Sequence, residues 1–253
     1  KANGTFTLVP RPVDKHVCKT GTVCTYKFDP TTGTLLDETG HRVRWVGKGY
    51  SQKHGDNYWE TYTATSKSSG IRCFGCMIAR LELETRHVDI EKFFTQNELQ
   101  EELYGEQMDG FEEGGKGPDG RYKLVCKFHK GLEGMKQSGN NAQKNNVAHL
   151  TGPCGLKQSK TEPTLFYKHT TVAGKSLILI LLVWVDDMWA AFSKGFSKDI
   201  FDPFIKTYQK RWPIKLYRSV KKFVGIDIEH DEKQNTVSLS MESYITGMIP
   251  KFL

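Results

Sequence analysis

Two segments near the N-terminus alternate between apolar and polar residues, which is the period of a β-strand. Residues 23–28 and 42–46 carry this alternation on either side of a stretch rich in Pro, Thr and Gly, and together they predict a β-hairpin. The second segment puts Arg42 and Arg44 on the face opposite Trp45. We therefore expect a basic strand face in this part of the chain.

The first helical pattern covers residues 69–83, where apolar side chains recur at spacings of three and four. A strand through residues 87–90 is expected to follow it. Cys73 and Cys76 lie inside this helical pattern with no second cysteine pair nearby, whereas a structural zinc site usually needs four ligands. We expect them to be core thiols rather than metal ligands.

The middle of the chain combines a long loop with apolar strands. Residues 110–120 hold five glycines and one proline, which predicts a loop, and residues 123–128 resume as a strand. Residues 137–146 are rich in Asn and have poor helix propensity. The apolar runs 177–185 and 188–192 predict two strands that are separated by a pair of aspartates.

The C-terminal part returns to mixed patterns. Residues 197–208 predict an amphipathic helix that Pro203 should kink, and residues 222–228 and 236–240 predict a final pair of strands. A last helix should end at Pro250. Helices and strands thus mix without strict βαβ alternation, which favours an α+β fold with an antiparallel sheet.

Composition narrows the setting of the chain. Its 253 residues, 38% of them hydrophobic, are enough for a sizeable core, and a formal net charge of +7 suits a polyanionic partner. The longest apolar run, residues 177–185, is too short to span a membrane, so no membrane partner is expected. Six scattered cysteines indicate a reducing, intracellular setting, and a start at Lys1 suggests a piece of a longer protein.

The chemically most informative feature is the pair Asp186 and Asp187 between two apolar runs. Buried carboxylates are costly and adjacent ones repel each other, unless divalent cations sit beside them. Magnesium needs only a few carboxylates when substrate phosphates complete its shell. The alternative is a solvated turn between two strands. Asp89 follows an apolar residue in another predicted strand, and it favours the metal interpretation only if it reaches the same place.

Several segments of the chain resemble, in the same order, the reverse transcriptases of copia-type (pseudoviral) retrotransposons. The segment Trp184–Asp187 resembles their Tyr-Val-Asp-Asp box, and residues 46–52 resemble Val-Ala-Lys-Gly-Tyr/Phe-Ser-Gln. The other similar segments are residues 88–94, 98–112, 132–138, 162–166, 223–228 and 237–240. Any one segment is weak, but the ordered set is specific for ancestry and less specific for activity.

The resemblance implies a right-hand polymerase fold with fingers, palm and an incomplete thumb. By this similarity, residues 1–65 and 98–137 would form the fingers and residues 66–97 and 138–230 the palm. Residues 231–253 would begin the thumb, and no RNase H or integrase segment is expected within the chain. The implied partners are an RNA or DNA template with its primer and deoxynucleoside triphosphates.

The same resemblance implies two Mg²⁺ ions, with Mn²⁺ as a substitute, held by motif carboxylates that match Asp89, Asp186 and Asp187. In this scheme Asp89 and Asp186 hold both metals, Ile90 offers a backbone carbonyl, and Asp187 tunes the site from beside them. One ion lowers the pKa of the primer 3′-hydroxyl and the other stabilises the leaving oxygen.

Further positions match substrate-binding residues of the family. Arg44 and Lys48 could pair with triphosphate oxygens, or they could simply lie on a solvated strand face. Phe94 could exclude a ribose 2′-hydroxyl, or it could be a core side chain. Gly225 could allow close approach of a primer, or it could mark a strand bulge. Gln137 is expected at the substrate as well.

Other residues depart from the family pattern in the expected nucleotide pocket. Phe93 and Glu133 bring bulk and negative charge, and Gly139 and Ala142 replace Pro and Trp. Trp184 replaces the Tyr before the paired aspartates, and an expected turn is missing around residues 216–218. These departures keep an alternative open: a domesticated, catalytically weak or silent module that binds RNA or protein within a larger assembly.

Overall fold

The structure is a computed structural model that describes residues 4–26, Thr34 and residues 40–252. Contacts divide the chain into two compact units. The first consists of residues 1–63 and 94–142, and the second of residues 64–93 and 143–253. The chain thus enters the second unit, returns to the first, and ends in the second.

The first unit contains a four-stranded sheet and a separate hairpin. The sheet orders its strands β1-β7-β6-β2, and only the β2–β6 pair is parallel. The hairpin pairs β3 with β4 in antiparallel fashion, as predicted from the alternation in residues 23–26 and 42–46. Residues 27–28 of the predicted first strand lie outside the described part of the chain. The strands are β1 (Phe6–Pro10), β2 (Val17–Cys18), β3 (Thr20–Tyr26), β4 (His41–Gly47), β6 (Glu98–Gly105) and β7 (Leu124–Lys130).

Apolar side chains from the strands and from the segment after β7 form the core of the first unit. Leu103, Phe128 and Leu132 are almost fully buried in it, and Trp45 packs against the cluster. Trp45 lies 5.3 Å from the Phe128 ring, between centroids. A short 3₁₀ turn lies at Gly49–Ser51, and another spans Phe93–Gln96, where the chain passes from the second unit back to the first.

The second unit is built on a six-stranded, fully antiparallel sheet in the order β12-β5-β11-β10-β9-β8. Its strands are β5 (Leu83–Ile90), β8 (Lys157–Gln158), β9 (Leu165–Val172), β10 (Lys175–Trp184), β11 (Asp187–Ser193) and β12 (Ile214–Tyr217). A three-stranded sheet follows, with β13 (Lys222–Phe223), β14 (Ile226–Asp231) and β15 (Thr236–Ser240) in sequence order. The α+β fold class with an antiparallel sheet is therefore confirmed.

Helix α1 (Ser68–Arg80) covers one face of the six-stranded sheet. Its buried residues Phe74 and Ile78 pack into a core with Trp189 of β11, and the Phe74 and Trp189 rings meet edge to face at 5.0 Å. Cys73 and Cys76 lie on the opposite side of α1 and are exposed, so the expectation of core thiols is wrong. The helical spacing that buries Phe74 turns both cysteines to the surface.

Helix α2 (Ser138–Thr151) forms where propensity alone predicted little helix. Its amides bond to the preceding chain: Asn140 Nδ2 donates to the Tyr62 carbonyl, and Gln143 Nε2 donates to the Ala64 carbonyl at 2.7 Å. Ala142 between them is fully buried. Tertiary contacts of this kind override a weak local preference.

Pro203 begins a helix rather than kinking one. A π-helical turn spans Ser197–Phe201, and helix α3 (Asp202–Tyr208) starts at Asp202 with the proline in its first turn, where no backbone N–H is needed. Phe201 stacks on Phe192 of β11 with 4.7 Å between ring centroids. This contact fixes the helical segment on the face of the sheet opposite α1.

The C-terminal elements also differ from the sequence prediction. Residues 222–228 form two strands joined by a turn instead of one continuous strand, and helix α4 (Glu242–Phe252) continues past Pro250. In the described part of the chain, no helix combines the length and the apolar character that crossing a membrane requires.

Candidate active site

Strand register brings two of the predicted carboxylates together. β11 pairs with β5 so that Asp187 lies directly opposite Asp89, and β12 on the other side of β5 places Lys215 opposite Asp89. Directly opposed residues on adjacent strands point to the same face, with Cβ atoms about 4.5–5.5 Å apart. The side chains of Asp89, Asp187 and Lys215 therefore share one end of the sheet face.

This end of the face remains partly open. Farther along the same face, Trp189 and Leu83 are buried under α1 and the three-stranded sheet, whereas Asp89 and Asp187 are only half-buried. The other face of β5 carries Val88 and Ile90, which are 0% and 2% exposed. Alternation along β5 thus anchors the strand on one side and presents its acidic residue on the other.

The hairpin tip that carries Asp186 has a strained backbone. Trp184 pairs with Asp187, so Val185 and Asp186 are the two turn residues, and Val185 has φ +54°. A β-branched residue in the left-handed region costs about 1–3 kcal/mol and persists only where its surroundings hold it. The Ile90 N–H donates to the Asp186 carbonyl at 2.9 Å, which ties the tip to the end of β5.

Charge at the site is only partly compensated. Burial and repulsion from Asp187 raise the pKa of Asp89, and attraction from His87 and Lys215 opposes that rise. Lys215 Nζ itself lies 2.9 Å from a carboxylate oxygen of Glu91. The ionised form of Asp89 therefore lacks a dedicated cationic partner among the neighbours that act on it.

His87 is a site residue that sequence reasoning missed. Its Nε2 lies 3.0 Å from Asp187 Oδ1, and its ring stacks on Tyr217 at 5.4 Å between centroids. A single histidine in a strand carries no motif. The available signal was the period of two, which puts His87 on the same face as Asp89.

The donor chemistry fits a hard divalent cation. Two carboxylates meet at one half-buried spot, where burial and repulsion from Asp187 raise the pKa of Asp89. Among the described residues, no group of three or more His, Cys, Asp or Glu side chains is arranged to hold a metal ion. Magnesium is nevertheless held by one or two carboxylates when substrate oxygens and water complete its shell. Asp89, Asp186 and Asp187 are the residues that could hold it.

Arg44 and Lys48, the predicted triphosphate ligands, lie in the first unit. Arg44 Nε is 3.3 Å from a carboxylate oxygen of Glu133. Glu133, which departs from the family pattern, thus forms an ion pair with an arginine that was predicted to bind a triphosphate. The Lys48 side chain runs along Gly21, where a Cβ atom would collide with it. Their predicted contact with a triphosphate stays a prediction.

Gln137 has a structural environment. Its side chain is fully buried, its Nε2 donates to the Asn57 carbonyl at 3.0 Å, and its Oε1 accepts from Gln52 Nε2 at 2.9 Å. Gln52 in turn accepts from the Lys136 N–H at 2.7 Å. Both ends of the Gln137 amide are occupied within the first unit, which argues for a structural role in place of direct substrate contact.

The segments around Gln52 and Gln137 also meet through glycines. The Gly47 N–H donates to the Glu133 carbonyl at 2.9 Å, and a Cβ atom at Gly134 would collide with the Gly47 carbonyl oxygen. Gly134 has φ +83°, a conformation that favours glycine. Two of the segments that carry the family resemblance therefore support each other's backbone.

Phe93 and Phe94 have different environments. Phe93 is 3% exposed and packs on Trp212 with 5.5 Å between centroids, so its bulk is absorbed by the core of the second unit. Phe94 is half-buried in the first unit. The contact of Phe94 with a nucleotide sugar stays a prediction.

Gly225 lies in a tight turn and not in a strand bulge. Phe223 pairs with Ile226, so Val224 and Gly225 form a two-residue turn with φ +51° and +78°. Two positive φ values are the type I′ pattern, in which glycine is favoured. Space around a Cβ atom at Gly225 is open, so the backbone conformation is what favours glycine here. The approach of a primer to Gly225 stays a prediction.

Comparison with protein families gives one match over nearly the whole chain. The family described as "Reverse transcriptase (RNA-dependent DNA polymerase)" matches residues 3–253. The chain is 28% identical over 250 residues to the retrovirus-related Pol polyprotein from transposon TNT 1-94 of Nicotiana tabacum. It is 26% identical over 249 residues to the corresponding polyprotein from transposon RE1 of Arabidopsis thaliana.

These relatives are much longer than the chain. The alignments cover 99% and 98% of the chain but only 18% and 16% of the tobacco and Arabidopsis proteins. A Gag-Pol polyprotein from transposon Ty1 of Saccharomyces cerevisiae aligns with 83% of the chain at 24% identity. The chain thus spans about a fifth or less of the length of the curated relatives it matches.

Solved structures give a weaker likeness. A foamy viral protease-reverse transcriptase in complex with double-stranded DNA overlaps 94% of this chain and 33% of its own, with 12% identity and a TM-score of 0.42. A telomerase from Candida albicans overlaps 94% of this chain and 48% of its own, with 10% identity and a TM-score of 0.49. The match over residues 3–253 of the sequence is what shows the family of the chain.

Proposed function

Since the chain belongs to the reverse transcriptase (RNA-dependent DNA polymerase) family, of the copia type, we propose that it is an RNA-directed DNA polymerase core. The reaction is transfer of a deoxynucleotide from its triphosphate to a primer 3′-hydroxyl, with release of pyrophosphate. The observation that carries the proposal is the register that sets Asp187 opposite Asp89 at the open end of the sheet.

The three aspartates have distinct tasks in this proposal. Asp89 and Asp186 bind two Mg²⁺ ions, with the Ile90 carbonyl as an additional ligand, and Asp187 adds negative charge from beside them. When bound, the ions supply activation of the 3′-hydroxyl and stabilisation of the leaving phosphate oxygen. The strand pairs around Asp89 hold Asp89 and Asp187 at one end of the sheet face without a large rearrangement. The hydrogen bond from the Ile90 N–H to the Asp186 carbonyl ties the turn to the end of β5, which supports a shared site for the three carboxylates.

The polymerase subdomains follow from the same proposal. Residues 1–65 and 98–137 are the fingers, residues 66–97 and 138–230 the palm, and residues 231–253 the start of the thumb. The division into two compact units supports the separation of the first two. The contacts of Arg44 and Lys48 with the triphosphate, and of Phe94 with the sugar, rest on the family resemblance alone.

The template and primer are nucleic acids, and the net charge of +7 supports binding of a polyanion. Binding that neutralises phosphates releases counterions, so affinity should fall steeply as salt rises. An RNA template is the substrate that the family description implies.

Primer extension tests the proposal directly. Purified protein is incubated with a labelled DNA primer on an RNA template, the four deoxynucleoside triphosphates, and either Mg²⁺ or Mn²⁺. We expect extension by the wild type and a loss of at least about 100-fold in Asp89→Asn and Asp186→Asn, because these carboxylates would hold the metal ions that stabilise the negative charge of the transition state.

The matched control is Asp119→Asn, which removes an exposed aspartate in the loop between β6 and β7 and should extend primers like the wild type. A folded wild type that binds the template-primer but extends no primer with either metal would refute the proposal. Unchanged extension by Asp89→Asn would refute the assigned role of that residue.

A further inference from the structure

His87 is held between two side chains at the edge of the proposed metal site. Its Nε2 lies 3.0 Å from Asp187 Oδ1, and its ring is nearly parallel to that of Tyr217, with an interplanar angle of 28°. The His87 side chain is 19% exposed and that of Asp187 is 37% exposed. The contact is therefore sheltered without being closed to solvent.

The backbone explains why His87 occupies this place. It lies directly opposite Trp189 on β11 and Tyr217 on β12, so an aromatic side chain stands on each side of it. Trp189 is fully buried and cannot yield, and Tyr217 covers the imidazole from the other side. Asp187 is the diagonal neighbour on β11, a distance that an imidazole can bridge.

The chemistry of the contact fixes its direction. An ionised carboxylate only accepts hydrogen bonds, so His87 donates from Nε2 to Asp187 Oδ1. This bond occupies one carboxylate oxygen and restrains rotation of the group. Asp89 lies opposite and its charge repels Asp187, so an unrestrained Asp187 would turn away from it.

We propose that His87 is a positioning residue that holds Asp187 beside Asp89, and that Tyr217 fixes His87 in turn. The inference rests on the proposed function, because it concerns the same divalent-cation site. It adds a supporting layer that none of the motif residues supplies: the cation site depends on a histidine two residues before Asp89 and on a tyrosine of β12. Outer partners of metal-ligating groups typically change metal affinity by about 10–100-fold when they are removed. Asp187 adds charge beside the ions, so removal of its partner should fall at the lower end of this range.

The affinity of the site for Mn²⁺ can be measured without any turnover, because the EPR signal of free Mn²⁺ decreases as the ion binds during a titration. We expect His87→Leu to weaken Mn²⁺ binding by about tenfold or more, because leucine fills space but cannot donate. His87→Gln retains a donor and should stay within about threefold of the wild type. Tyr217→Leu should weaken binding by several-fold, whereas Tyr217→Phe keeps the ring and should not.

Folding is checked by circular dichroism and thermal unfolding of each variant. If His87→Leu does not fold, the pair Tyr217→Leu and Tyr217→Phe decides the question, since Tyr217 is 46% exposed and its loss leaves the core intact. If His87→Leu folds and binds Mn²⁺ like the wild type, the inference is overturned. If His87→Leu does not fold, equal Mn²⁺ binding by Tyr217→Leu and Tyr217→Phe overturns it instead.

The outcomes separate this inference from the proposed function. A wild type that binds Mn²⁺ but extends no primer refutes the polymerase proposal, and the His87 variants still decide the positioning role by affinity alone. A wild type that extends primers and binds Mn²⁺ no more tightly than His87→Leu refutes only the positioning role. A wild type without any Mn²⁺ binding refutes both.

Discussion

Removing the charge of Asp89 should stabilise the metal-free protein while it abolishes cation binding. Asp89 faces Asp187 directly across the β5–β11 pair, and burial together with this repulsion raises the pKa of Asp89. At a separation of about 5 Å, two unit charges repel by roughly 1 kcal/mol in water and roughly 3 kcal/mol at an effective dielectric constant of 20. Asparagine keeps the shape of the side chain and removes this term.

The net gain is smaller than the repulsion because Asp89 also loses the attraction of His87 and Lys215. We expect Asp89→Asn to be more stable by about 1 kcal/mol, in line with the usual size of charge pairs across strands. For a chain of this size, that corresponds to a rise of about 2–4 °C in Tm.

Thermal unfolding in EDTA and in Mg²⁺ is the assay. In EDTA the variant should melt above the wild type, and added Mg²⁺ should narrow or reverse the difference because only the wild type gains from binding. The difference should also shrink as pH falls. The pKa of Asp89 is raised in the folded state, so the penalty is complete above that pKa and disappears as the carboxyl group becomes protonated.

Asp227→Asn supplies a control of opposite sign. Hydrogen bonds from Ser243 and attraction from Lys222 lower the pKa of Asp227, so its charge favours the folded state and its removal should lower Tm. A lower Tm for Asp89→Asn than for the wild type in EDTA would refute the reasoning, because Asp89 would then be compensated without a cation.

Two further predictions concern the first unit and the cysteines. Gln137→Leu should lower the free energy of unfolding by about 1–3 kcal/mol, since it leaves buried polar partners unsatisfied, and urea titration against the exposed control Gln234→Leu measures it; equal stability of the two variants would contradict the structural role. Burial raises the pKa of Cys18 to about 12 and that of Cys154 to about 11, so neither should react with iodoacetamide in the native protein at pH 8. Mass spectrometry should find adducts only at the exposed thiols, and labelling of Cys18 would contradict the prediction. The exposed thiols are Cys24, Cys73 and Cys76.

Strong periodicity made part of the fold predictable. The hairpin of β3 and β4 and the apolar strands β10 and β11 were legible because their residue patterns match the pleat of a half-buried or buried strand. β6 was missed because its polar residues outnumber its apolar ones, and its burial depends on β7 beside it. Helix α2 was underestimated because its stability comes from amide contacts with the preceding chain.

The candidate site was predictable only in part, for a related reason. Motif similarity selected Asp89 and Asp187, but their proximity depends on the register between β5 and β11. This register cannot be read from the sequence of either strand alone. His87 was missed because its contacts are with Asp187 and Tyr217, which lie a hundred residues or more away in the chain. Gln137 lies in a segment that resembles the family, yet its buried side chain donates a hydrogen bond to the Asn57 backbone carbonyl. A residue that matches a family segment can therefore have structural contacts of this kind.

The ion pair between Arg44 and Glu133 means that any other anion that binds Arg44 competes with a carboxylate that already contacts it. Because Glu133 is part of the same folded unit, its carboxylate is present at a high effective concentration that does not depend on the protein concentration. Glu133 approaches Arg44 at Nε, and the guanidinium has five N–H donors, so an incoming phosphate would share the charge of Arg44 with the Glu133 carboxylate. Glu133 therefore lowers the charge that Arg44 offers to another anion, and weakly binding anions should have low affinity for Arg44.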